Sequence, residues 1–359
     1  MSGPFGSTPH NLFNTTSSEF YPYLMNQSFR GNGSNKSLSR TVGSSVTNRR
    51  KFTVSSWVKL SFHTGLSSTA SAHMYAGFGK SGGNYGQIGF YEDDFYYYEY
   101  NGAGGACYLR TNRLFRDRGQ WYHIVLAIDT TQSTAADRNK VYVNGTRITA
   151  FDTQTNYSEN ADPDYNVADS ATNHFVMSSG ATNGAAYQWF DGYMAEFHFV
   201  DGQALTPSSF GETKDGIWVA NEYEGTHGDN GYYLPFDDTS AIGDDESANT
   251  NDFTSNNLAA SDIVPDSPTN NWCVWDQTRN DDESISAFSN GSLTVTPPAS
   301  GGFESAVASF TLPRTGKWYW EYRTGAGGGS IYGRPSIITV EEFYTQTNDR
   351  DEITGGSAA

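Results

Sequence analysis

The sequence holds only two cysteines, Cys107 and Cys273, far apart in the chain. That excludes a disulfide-dense scaffold and a CxxC metal site, and leaves open whether the two pair. Cations are scarce as well: 22 Lys plus Arg face 40 Asp plus Glu, a formal charge of −18. Phosphate contacts need Lys and Arg, so a nucleic-acid partner is excluded. No stretch approaches the ~18 consecutive apolar residues of a membrane helix, so no membrane insertion is expected. The segment Met1-Ser2-Gly3-Pro4-Phe5 has neither a positive start nor an apolar core. No secretory signal is therefore expected, and the product would be made in a cytoplasm. A Gly-x-Ser-x-Gly elbow between strand and helix is missing, and the seven His are scattered without metal-ligand spacing.

What is present is aromatic and turn-rich. Hydrophobic residues reach only 36%, yet 23 Tyr, 22 Phe and 8 Trp make a folded chain the natural reading, since disordered chains lack aromatics. Thirty-eight Gly with many Thr and Asn favour strands joined by tight turns. Phe52 to Leu60 alternates large apolar with small polar residues, as a strand with one buried face does. The segments 87–91 and 95–100 flank Glu92-Asp93-Asp94 and read as a hairpin with an acidic turn. Trp121 to Asp129 is a β-branched apolar run, hence a central strand. Lys140 to Ile148 places Asn144-Gly145 between alternating residues, the signal of a type I′ hairpin turn. Thr206-Pro207 opens one short helical turn, with Thr206 capping. Many strands at short spacing with almost no helix make the chain all-β, an antiparallel β-sandwich.

Composition divides the chain. Residues 1–25 are an aperiodic arm, with Phe20-Tyr21-Pro22-Tyr23 favouring docking over free motion. Residues 26–235 carry the sandwich. Residues 236–275 are rich in Asp, Asn, Ser and Thr, an acidic polar linker or irregular packed loop. Residues 276–359 resume strand patterning at 292–296, 306–310 and 317–322, too short for a sandwich of their own.

The ordered series Gln27-Ser28-Phe29-Arg30, Leu38-Ser39-Arg40-Thr41, Asn48 to Thr53 and Ser56-Trp57-Val58-Lys59 resembles the opening of laminin-G-like, concanavalin A-like domains in bacteriophage virion proteins. The resemblance continues through Trp121-Tyr122-His123, Val141 to Gly145, Phe190 to Glu196 and Phe199 to Leu205, covering roughly residues 25–235. It implies a concanavalin A-like jelly roll with a small C-terminal β unit. Asn290 to Leu293 and Gly316 to Glu321 look like the first strands of a SPRY-type sandwich, which is normally much longer than the stretch that follows here. The resemblance implies a virion protein, in a tail fibre or similar exposed position, with other virion proteins and a host cell-surface glycan as partners. A short second unit leaves open strand edges, so a homo-oligomer is expected. Capsid decoration or a fibre shaft is the alternative.

Polysaccharide hydrolysis is a weaker expectation. It needs two carboxylates ~5–9.5 Å apart, and hydrolases of this fold carry Glu-x-Asp-x-x-Glu. Here Glu92-Asp93-Asp94 is contiguous and Glu196 stands alone, so no enzymatic activity is expected. Calcium is the ion this fold implies, held by hard oxygen ligands on rim loops. The candidates are Asp93, Asp94, Asp162, Asp164, Asp237 and Asp238, each equally readable as a solvated turn residue. For glycan stacking the candidates are Tyr96, Tyr97, Tyr98 and Tyr100, alternate members of which reach the solvent face of a strand, and Trp189 in a Gly- and Asn-rich loop. Trp57, Trp121 and Trp218 read as core, and His123 and His198 as structural.

Overall fold

The computed structural model of the chain describes residues 20–61, 72–102, 104–181, 183–276, 287–296, 306–310, 317, 319–321 and 323. Expectations for residues 1–19, for Trp318 and Tyr322, and for most of the 276–359 segment lie outside the described residues.

Two eight-stranded antiparallel sheets pack face to face. In spatial order the first runs Thr146–Arg147, Asn139–Val143, Trp121–Asp129, Lys51–Leu60, Gly192–Asp201, Ser28–Arg30 and Ile263–Val264, with Tyr232–Leu234 also pairing to Gly192–Asp201. The second runs Phe151–Thr155, Gly105–Leu114, Asp94–Tyr100, Tyr85–Tyr91, His73–Lys80, Thr172–Val176, Ser37–Thr41 and Thr254–Asn256. Between them lies one core. Phe52, Val54, Ile124 and Leu126 meet Phe78, Phe90, Tyr97 and Leu109 across it. Each such side chain contributes about 1.5–3 kcal/mol by leaving water.

Local chemistry sets the turns. Glu92 and Asp93, at φ 50° and 70°, form the two-residue connection between Tyr85–Tyr91 and Asp94–Tyr100. Asn144 and Gly145, at φ 47° and 77°, do the same between Asn139–Val143 and Thr146–Arg147. Two successive positive φ values give the mirror-image turn whose twist suits a hairpin. Pro207–Ser209 is a single 3-10 turn, but Thr206 does not cap it; its hydroxyl bonds to Ser208 instead.

The outer faces of the two sheets differ. Trp121–Asp129 and Gly192–Asp201 are buried at every position, because further chain covers the outer side of the first sheet. Met25, Trp57, Trp121, Tyr193, Ala220 and Val274 form a second apolar cluster there, with Tyr23, Trp218 and Leu293 packed against it. Trp57, Trp121 and Trp218 are thus core-like, but in this second layer and not between the sheets. On the second sheet Asp94–Tyr100 alternates buried with half-buried residues after its first position, the pattern of a sheet with one open face.

Three stretches outside the sandwich proper pack onto it. Residues 236–275 are no linker: Thr254–Asn256 extends the second sheet beside Ser37–Thr41, and Ile263–Val264 extends the first beside Ser28–Arg30. Their polar composition is spent on bonds within the fold. Asp245 accepts from the backbone N–H groups of Tyr233, Ser247 and Asn251. The described end of the arm docks on its own chain. Tyr23 Oη donates to Glu196, and Met25 is buried. The described C-terminal strands, Trp275–Asp276 with Val307–Ala308 and Ala287–Ser289 with Thr294–Thr296, lie against the first sheet. Tyr193 Oη donates to the Gly291 carbonyl at 2.6 Å, and Ser292 Oγ donates to that of Ser61 at 2.9 Å.

Candidate functional site

The open face of the second sheet carries a continuous row of tyrosines. Asp94–Tyr100 turns Phe95, Tyr97 and Glu99 inward and Tyr96, Tyr98 and Tyr100 outward. Tyr85 and Tyr91 join them from one neighbouring strand and Tyr108 from the other. Ring centroids step from Tyr91 to Tyr96 (6.1 Å), to Tyr98 (6.1 Å), to Tyr85 (5.9 Å) and to Tyr100 (5.4 Å). Tyr108 sits edge-on to Tyr96 and Tyr98 at 5.5 and 5.6 Å. At one end the Arg110 guanidinium lies 4.8 Å from the Tyr91 ring and is itself held by Asp94 and Glu92, both at 2.6 Å. Packing fixes the rings and leaves each half-buried. Burial among neighbouring rings raises the Tyr96 hydroxyl well above the usual phenol range, so it stays a neutral donor.

Of the expected glycan residues, the face therefore unites Tyr96, Tyr98 and Tyr100. Tyr97 does not belong. It is fully buried, and its hydroxyl meets Tyr157 at 2.6 Å beside Glu99. Strand alternation makes that unavoidable. Trp189 is half-buried, with its indole N–H buried and lacking an acceptor; no ring contact joins it to the tyrosines among the described residues. Tyr85, Tyr91, Tyr108 and Arg110 were missed, although the same alternation runs through their strands.

Beside the tyrosines a short hairpin, Ser179–Gly180 with Ala186–Tyr187, lies flat on the sheet. Gly77 permits this: a Cβ there would stand 2.3 Å from the Gly86 carbonyl and 2.9 Å from Ser179 Cα. Gln87 ties the hairpin down by donating to Gln188. Beyond the hairpin is a polar groove of about 480 Å³ lined by Thr41, Asn173, Phe175 and Asn251 among others. Its walls come from strands far apart in sequence, and no local motif announces it.

The acidic loops do not fit a calcium ion. Asp93 accepts from Arg118 at 2.5 Å and Arg116 at 3.1 Å, and Asp94 from Arg110. Asp162 pairs with Arg50 at 2.8 Å; Asp164 binds Arg49 at 2.5 Å and Asn84 at 2.6 Å. Guanidinium groups hold the oxygens that a cation with six to eight ligands would need. Asp237 and Asp238 are exposed, and Asp238 closes a turn onto the N–H and hydroxyl of Ser240, both at 2.7 Å. Among the described residues no three His, Cys, Asp or Glu side chains converge as a metal site.

A buried Ser–His contact also has a plain reading. Trp218 Nε1, a donor only, bonds His123 Nδ1 at 3.0 Å, so the proton of that imidazole sits on Nε2. Nε2 then donates to Ser55 Oγ at 2.9 Å. An imidazole that already gives Ser55 a proton cannot take one from it. His123 is structural, as is His198, which bonds His227 at 3.2 Å and stacks on Tyr233 at 4.3 Å.

The family comparison agrees with this architecture. Residues 31–209 match the family described as the concanavalin A-like lectin/glucanases superfamily, of laminin G type. Among solved structures, the native heptameric SAP-like pentraxin of Limulus polyphemus aligns at 16% identity and TM-score 0.34, over 51% of this chain and 78% of that one. A Bacteroides ovatus protein, provisionally described as carbohydrate-binding, aligns at 17% identity and TM-score 0.42, over 67% of this chain and 60% of that one. The LG1-3 region of the laminin α2 chain aligns at 15% identity and TM-score 0.29, over 54% of this chain and 33% of that one. No curated protein matches the sequence.

Proposed function

We propose that this chain, whose residues 31–209 form a concanavalin A-like domain of the laminin G type, binds an extended glycan across the tyrosine row of its open sheet. The observation that carries the reading is the asymmetry of the two outer faces. One is covered by the chain's own arm and C-terminal strands, and the other presents Tyr85, Tyr91, Tyr96, Tyr98, Tyr100 and Tyr108 half-exposed. A pyranose has an apolar face that stacks on an aromatic ring and hydroxyls that bond at its edge; fixed tyrosines supply both partners at little entropic cost. Successive rings 5.4–6.1 Å apart suit a chain of sugars better than a single one. Binding without turnover fits the arginine-paired acids at the end of the row.

The same reading places the protein on a bacteriophage particle, in a tail fibre or similar exposed position, as an oligomer that holds other virion proteins and adheres to host-surface glycan. This placement rests on the resemblance of the ordered segments in residues 25–235 to virion proteins. The test is binding of purified protein to host cells and to immobilised surface polysaccharide. Saturable binding that soluble glycan competes, and that Tyr98→Ala weakens about tenfold or ~1.4 kcal/mol, is expected. A folded protein that binds no glycan would leave only a structural virion role, and gold labelling spread over the whole capsid lattice would favour decoration.

A further inference from the structure

On the covered face of the first sheet, three side chains with complementary chemistry meet in the second apolar layer. Lys59, outward on Lys51–Leu60, is fully buried, as is Asp266, and they contact at 2.9 Å. Lys59 Nζ also lies 2.8 Å from Asn271 Oδ1 and 2.5 Å from the Trp272 carbonyl. The Asn271 amide is oriented, because its Nδ2 donates to the Gly119 carbonyl at 2.7 Å and its oxygen is left facing the lysine. Asp266 is oriented too: its other oxygen accepts from Trp121 Nε1 at 3.1 Å and from the Trp272 N–H at 3.2 Å. The Tyr193 ring lies 5.5 Å from Lys59 Nζ, and Tyr193 and Trp121 belong to the second apolar cluster.

We infer that Lys59 and Asn271 join covalently, through an isopeptide bond that Asp266 promotes. A charged pair with no exposure is expensive, and exchanging it for neutral groups is favourable in such a setting. Passing one proton from the Lys59 ammonium to the Asp266 carboxylate leaves a neutral amine beside a protonated acid. Burial already raises Asp266 above the ordinary carboxylate range. The amine lone pair attacks Asn271 Cγ, and the carbonyl π pair moves to Oδ1 while Asp266 donates to it. As the carbonyl re-forms, the Cγ–Nδ2 bond breaks. Nδ2 leaves with its own two hydrogens and one from Lys59 as ammonia, and Asp266 regains its proton. No oxidant or cofactor enters the balance. Asn271 is only partly buried, so the leaving nitrogen has a way out. Holding the amine against the amide in one geometry replaces an encounter in solution, the condition under which intramolecular reactions run fast.

The test is the intact mass of the purified full chain, with tandem mass spectrometry of its digest. The expected result is a mass lower by one ammonia, and one branched species joining the peptides that carry Lys59 and Asn271. Lys59→Met and Asp266→Asn should each restore the full mass, with near-ultraviolet circular dichroism confirming that the variant is folded. Full mass in the folded parent protein overturns the inference, as does ammonia loss without a joined peptide, which marks a succinimide. Loss of one water overturns it as well, because Asp266 would then be the acceptor.

Discussion

Acid should unfold this protein sharply, and the proton count can be read from the core. Burial holds five histidines below their ordinary value of 6.5. His123, His174 and His198 fall to about 3, and His73 and His227 to about 4. Neighbouring charge adds to the effect, from Arg40 beside His174 and from Arg118 beside His73. Each is neutral when folded and protonated when unfolded between about pH 4 and 6.5. Its contribution is therefore complete above 6.5 and lost as pH falls. Two carboxyls act in the opposite sense. Burial raises Glu99 and Glu196 to about 7, so the folded state keeps their protons and stability is lost as pH rises from about 4.5 to 7. Five protons taken up on unfolding and two released leave a net of about three. That is up to about 4 kcal/mol per pH unit between pH 4.5 and 6.5, an upper figure because buried Asp191 and Asp266 are raised as well. A domain stable by about 5–15 kcal/mol cannot absorb much of that.

One substitution isolates a single proton. His174 is fully buried, donates from Nε2 to the Tyr165 carbonyl at 2.7 Å, and packs among Tyr165, Phe199 and Tyr232. His174→Phe keeps the rings packed but leaves that carbonyl without its donor, a loss of about 1–3 kcal/mol at every pH. It also removes one protonation from the unfolded state. Urea unfolding should thus find the variant less stable than the parent near pH 8. The gap should close by about 1.4 kcal/mol per pH unit below about pH 6. A gap that stays constant down to about pH 4.5 would refute the assignment of His174 as a neutral buried group.

The remaining predictions follow from particular contacts. Tyr100→Ala should weaken glycan binding without moving the melting temperature much, and Tyr96→Ala should weaken binding and also lower the melting temperature, because its ring packs on Tyr91, Tyr98 and Tyr108. Tyr97→Phe should leave binding intact and lose about 1 kcal/mol, because its hydroxyl bonds Tyr157 in the core, and paired titrations and thermal melts separate these cases. Gly77→Ala should destabilise by about 1–3 kcal/mol, since the added methyl meets the Gly86 carbonyl and Ser179 backbone, as a denaturant midpoint shift with unchanged m-value would show. Calcium and chelator should give superimposable melts, the arginines already holding Asp93, Asp94, Asp162 and Asp164; a calcium-dependent rise would reverse that reading.

Much of the architecture is legible in the sequence because it is local. The alternation of Asp94–Tyr100 and the Asn144-Gly145 turn need no tertiary information, and both appear where the pattern places them. What the sequence conceals is what covers each face. Trp121–Asp129 reads as a central strand from its apolar run, but nothing in that run says that Met25 and Val274 will complete its outer layer. The 236–275 stretch misleads for a related reason. Its Asp and Asn residues look like solvated linker, yet Asp245 and Asp266 are buried acceptors for backbone and side-chain donors contributed from elsewhere. Polar residues signal exposure only when their partners are water, and partners distant in sequence are invisible to a pattern.

The same logic explains why the glycan candidates divided as they did. Four tyrosines in one cluster, Tyr96, Tyr97, Tyr98 and Tyr100, invite a single role, but a strand can present only every second residue to one side. Residue count along the strand sends Tyr97 to the core with Phe95 and Glu99, and the open face recruits replacements from both neighbours. A binding surface on a sheet is therefore a property of register. The pairing of Gln87 with Tyr98 and of Tyr98 with Tyr108 aligns the three strands, and that register turns separate tyrosines into one platform. Slipping any one strand by a single residue would bury its tyrosines and break the row.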